Sequence, residues 1–70
     1  MSIQIQFEAW MIYERERPLG KYQVEITNTL ASKSEIFTWM VSVSRDEEGW
    51  LVDFGFRAIE VEVENSNVNS

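Results

Sequence analysis

The stretch Glu35-Ile36-Phe37-Thr38-Trp39-Met40-Val41-Ser42-Val43 decides whether this chain is all-β, because it fits two periods at once. At 3.6 residues per turn, Ile36, Met40 and Val43 fall at i, i+4 and i+7, one face of a helix. At period two, Phe37, Trp39, Val41 and Val43 oppose Thr38, Ser42 and Ser44, with Met40 interrupting the polar side. Thr38, Trp39, Val41 and Val43 are β-branched or aromatic, types that fit a pleated surface. Composition therefore tips the stretch toward a third strand.

Working outward, the N-terminal side alternates. Ile3, Ile5, Phe7, Ala9, Met11 and Tyr13 share one parity, with Gln4, Gln6 and Glu8 on the other, which makes a strand with one wet face. From Trp10 and Ile12 onward the second parity also turns apolar, so that end is expected to be covered on both faces by protein or by a partner. Pro18-Leu19-Gly20 is turn chemistry: proline presets φ and glycine supplies φ > 0. Tyr22, Val24 and Ile26 then alternate with Gln23, Glu25 and Thr27, which completes a hairpin. Residues Asn28 to Ser34 form a connection without clear period.

On the C-terminal side, Asp46-Glu47-Glu48-Gly49 reads as a short hairpin loop. Trp50, Val52, Phe54 and Phe56 share one parity of a fourth strand, but Ile59, Val61 and Val63 are on the other. One continuous strand would flip these residues to the opposite face, so a bulge is expected near Gly55–Ala58. Residues 65–70 are polar and uncharged and are expected to fray. The expected fold is mainly β: a single small domain over residues 1–64, with a curved antiparallel sheet of four to five strands joined by hairpins.

Seventy residues at 8.2 kDa leave little margin for a monomer. Burying about 60% of the unfolded surface contributes roughly 110 kcal/mol, against about 105 kcal/mol of ordering entropy. Cysteine and histidine are both absent, so no disulfide, zinc finger, thiol nucleophile or imidazole base is available. A self-associating surface or a tight partner is the natural remedy. Six Lys and Arg against twelve Asp and Glu give a net charge of −6, which argues against nucleic acid and anionic membrane as partners. No apolar run reaches the length of a membrane span and Met1 opens no signal peptide, so a cytoplasmic protein is expected.

Carboxylates are the only abundant titratable groups. Asp53, between Val52 and Phe54, would be a candidate base if its face were covered; on a polar face it simply meets water. Glu60, Glu62 and Glu64 share a parity and form a row that could meet a basic partner or guard an edge strand. As a metal site the row is poor, because alternate strand residues do not converge on one ion. Arg15 and Arg17 are positioned to pair across the hairpin with acidic residues. Trp39 and Trp50 would meet within one core if the Asp46–Gly49 loop joined two strands. Trp10 and Ile12, with Met40, would form an apolar surface patch, and Trp and Met are enriched at interface centres. No glycine-rich phosphate loop or nucleophile motif is present, and no cofactor is expected.

The run "KYQVEITNTL" followed by "SEIFTWMVSVSRDEEGWLVDFG" resembles the terminal strands of the ketosteroid-isomerase/nuclear-transport-factor-like superfamily. Thr38, Met40 to Ser44, Arg45, Gly49, Trp50, Val52 and Asp53 carry the likeness. The N-terminal helices that enclose that family's pocket have no counterpart, since the chain opens on a strand, and no catalytic residue carries over. The resemblance implies a long curved antiparallel sheet whose concave face needs a cover, such as a second copy.

Together these features point to a small acidic, non-enzymatic protein-binding module, a regulator, inhibitor or accessory protein. Its expected contact residues are Trp10, Ile12, Met40, Glu60, Glu62 and Glu64, and its partner is a protein or a second copy in a homodimer. The alternative is a homo-oligomeric small-molecule-binding or structural β protein.

Overall fold

The computed structural model describes residues 2–63. Its elements run β1 (Ser2–Arg17), β2 (Gly20–Leu30), α1 (Lys33–Asp46) and β3 (Trp50–Val63). The strands form one antiparallel sheet in the order β2-β1-β3, so the first strand is the central one. The mainly β, antiparallel architecture is as expected. The strand number is not: the described residues hold three strands rather than four to five, and the expected third strand is α1. Glu64 and the polar segment 65–70 lie outside the described residues.

Capping explains why Lys33–Asp46 is helical despite its β-branched content. The Ser32 hydroxyl accepts from the Glu35 N–H at 3.2 Å, and the Glu35 carboxylate accepts from the Ala31 N–H at 3.1 Å, a near relative of the capping box. Each Val or Thr costs a helix only up to about 0.7 kcal/mol relative to Ala, and one good cap offsets about 1 kcal/mol. The Thr38 and Ser44 hydroxyls donate to the carbonyls of Ser34 and Val41 within their own helix. Ile36 is buried, and Trp39, Met40 and Val43 are half-buried at i+3, i+4 and i+7, the stripe that a helix lays on a sheet.

This correction carries others with it. The Asp46–Gly49 segment joins a helix to a strand, so no hairpin forms over the residues that carry the ketosteroid-isomerase-like resemblance. Trp39 sits on α1, while Trp50 opens β3 with the Lys21 ammonium 5.6 Å from its ring centroid, so the two indoles do not meet through a hairpin. Gly49 is still required, with φ +93° and a backbone so close to the Glu14 carbonyl that a Cβ would collide with it.

The β1–β2 hairpin closes as expected. Arg17 pairs with Gly20, leaving Pro18-Leu19 as the loop, and Gly20 takes φ +142°. On the other side, β1 pairs with β3 from Ser2↔Val63 to Glu14↔Trp50. Ile12 faces Asp53 but Tyr13 faces Leu51, so the bulge lies at Val52, not at Gly55–Ala58. Past it the strand runs on without interruption. Phe54 and Phe56 share the face of Met11 and Ala9, whereas Ile59, Val61 and Val63 turn to the opposite face.

The core is Ala9, Met11 and Tyr13 of β1 with Ile36 of α1. The helix therefore covers the odd-numbered face of β1. It packs on β1 and β2, and β3 is left beside it with its helix-side residues open.

Candidate functional site

Leu51, Phe54 and Phe56 follow one another along the helix side of β3, and they remain 40%, 59% and 46% exposed. A helix about 10 Å wide covers two strands spaced about 4.8 Å apart but not a third. The flank of α1 that overhangs this bare strand is apolar as well, and Phe37 is 71% exposed. Between them runs an open groove of about 240 Å³, lined by Met11, Phe37, Met40, Val41, Ser44, Leu51 and Phe54. Further along the same face, Phe7 lies edge-on to Phe56 with ring centroids 6.0 Å apart.

The same strand face continues into charge. Glu60 pairs with Ile5 and Glu62 with Ile3, both on the helix side beyond Phe56. Apolar row and carboxylate row thus succeed each other along one edge, while Glu64 is outside the described residues. Among those residues the outer edge of β3 has no neighbouring strand.

The five expected contact residues that are described, Trp10, Ile12, Met40, Glu60 and Glu62, do not share one face. Met40 lines the groove on the helix side. Trp10 and Ile12, even-numbered on β1, lie on the opposite face, across from Gly55 and Asp53. The patch of Trp10 with Met40 is therefore divided by the sheet itself, because Met40 sits on a helix rather than on a neighbouring strand. Trp10 has a different role. Its indole lies so closely over Gly55 that a Cβ there would occupy the ring's position.

Asp53 is exposed on that face, and its carboxylate accepts the Phe54 N–H at 2.9 Å. Four residues on, Arg57 donates to Glu8 through Nε at 2.8 Å, and its Nη2 lies 2.6 Å from the same oxygen. Arg15 does not pair with an acidic residue across the hairpin. It bonds the Glu47 carboxylate and the Glu48 carbonyl, which fastens the end of α1 to β1. Arg17 stacks 4.6 Å from the Tyr22 ring centroid. Hydrogen bonding from Arg17, then from Arg15, holds the Tyr22 phenol below its ordinary value of 10.0.

Phe37, Leu51, Phe54 and Phe56 are not among the expected contact residues. The available signal is the pair Phe54 and Phe56, which flank a glycine on one parity of an apolar strand. No helix among the described residues is long and apolar enough to cross a membrane. No protein-family model, curated protein or solved structure matches this chain.

Proposed function

We propose that this chain is a small acidic, non-enzymatic protein-binding module of the cytoplasm, a regulator, inhibitor or accessory protein. It works through an apolar patch flanked by carboxylates. The observation that supports this reading is the uncovered groove between α1 and β3, where Phe37, Leu51 and Phe54 stay exposed while only four side chains among the described residues are buried. Other large apolar residues such as Leu19 and Ile3 are also exposed, but Phe37, Leu51, Phe54 and Phe56 lie together, and a contiguous apolar patch marks an interaction site. Glu60 and Glu62 extend the same face and favour a partner with a basic rim beside an apolar centre. Asp53, the one candidate base, is exposed to water, which favours binding over catalysis.

The test is capture of partners by tagged protein from nuclease-treated lysate, followed by titration of the purified partner. Phe37→Asp should weaken binding at least tenfold with an unchanged circular dichroism spectrum, since Phe37 is largely exposed. Undiminished affinity in that variant would remove the groove from the reading.

A further inference from the structure

Around Gly55 the unpaired edge of β3 reads Asp53-Phe54-Gly55-Phe56-Arg57. The segment is symmetric in size about the glycine and antisymmetric in charge. An antiparallel strand laid beside it in the register that sets glycine opposite glycine would place Phe54 against Phe56 and Asp53 against Arg57, each twice. Cross-strand aromatic pairs and opposite charges are the favourable partners in such a ladder. We propose that β3 pairs edge to edge with β3 of a second copy about a twofold axis through Gly55, giving a continuous six-stranded antiparallel sheet. This rests on the reading of the β3 side as an interaction surface and names one occupant of it.

Three features support a second copy as the occupant. First, the Phe54 N–H is satisfied by the adjacent Asp53 carboxylate, a local substitute for the acceptor that a neighbouring strand would provide. Second, Arg57 is exposed and among the described residues uses only Nε and Nη2 on Glu8, which leaves Nη1 to meet Asp53 of the other copy. Third, Trp10 lies over Gly55, so two glycines side by side leave a notch between two indoles on the face away from the helix.

Sedimentation equilibrium at low salt should give twice 8.2 kDa for the wild-type chain. Asp53→Lys and Arg57→Glu should each raise the dimer dissociation constant tenfold or more, because each puts like charges opposite one another twice. Mixing the two variants should restore a one-to-one heterodimer, since Lys then faces Glu and Arg faces Asp. A second measurement does not depend on the charge variants. With no native cysteine, an oxidised mixture of Phe54→Cys and Phe56→Cys chains should give one cross-linked heterodimer. A wild-type chain that stays monomeric at millimolar concentration overturns the pairing. A dimer indifferent to both reversals, or a mixture without rescue or cross-link, overturns the register. The binding reading falls separately, through Phe37→Asp, because Phe37 is on α1 and belongs neither to the β3 backbone ladder nor to the Asp53–Arg57 pairs that the other variants test.

Discussion

The central strand has two neighbours, and they are held in different ways. On the β2 side, a two-residue turn closes the hairpin, the register is unbroken from Phe7 to Arg17, and α1 lies over the pair. On the β3 side, the register slips at Val52, the partner arrives from far along the sequence, and Phe54 and Phe56 face solvent. Backbone pairing is present on both sides. What differs is side-chain coverage, and one 14-residue helix covers two strands and no more. The β2 side therefore carries the stability, and the β3 side carries the surface left over for association.

The comparison breaks first in the core. Ile36→Ala removes a buried side chain from the helix contact and should cost about 2–4 kcal/mol, enough to leave so small a domain largely unfolded. Phe54→Ala, although it deletes a larger group, should cost less than about 1 kcal/mol in the monomer, because the ring is already mostly solvated. Thermal or urea denaturation of the two variants reads the contrast directly, and equal losses would erase the distinction between the two sides.

A smaller effect sharpens the reason the helix exists. Ser32→Ala removes the acceptor for the Glu35 N–H and should lower stability by about 1 kcal/mol, visible as a shifted urea midpoint at constant slope. If the midpoint does not move, the cap is not what selects helix over strand.

The smallest effect lies at the hairpin and depends on pH. Tyr22 ionises more readily in the folded chain than in the unfolded one, because Arg17 and Arg15 stabilise the phenolate. This contribution is fully present above the unfolded value near 10.0 and is lost as pH falls through the lowered folded value, so it is absent at neutral pH. Absorbance titration at alkaline pH should show one tyrosine ionising early, and Arg17→Gln should move that transition upward. An unchanged titration in the variant would remove Arg17 as the cause.

The hairpin side was the legible side. Period-two alternation from Ile3 to Tyr13 and the Pro18-Leu19-Gly20 turn are local signals, and both are realised. The helix is also written in Ser32 and Glu35, three residues apart, but a reading from periodicity and from the valines and Trp39 alone leaves that cap out. On the β3 side, the parity slip between Phe56 and Ile59 was visible, and its resolution was not. No rule of sequence says that the chain would accept apolar residues on both faces instead of bulging, or that it would bulge at Val52. The groove was hidden for a related reason. It exists only because α1 falls over β1 and β2, a tertiary fact that assigning Met40 to a strand could not foresee.

The strand order has a consequence for how the chain is made. During synthesis, β2 emerges directly after β1 and the hairpin can zip at once, while β3 must wait until α1 has been completed. Throughout that interval the other edge of β1 is open along Ser2 to Glu14, in a nascent chain that already displays Phe7 and Met11. Contacts between residues about fifty positions apart are slow to find each other. The interval is when wrong pairings compete, with another nascent chain as the most available competitor. Glu8, later matched by Arg57, is unpaired during that wait, and its charge keeps the open edge apart from its neighbours until the proper strand arrives.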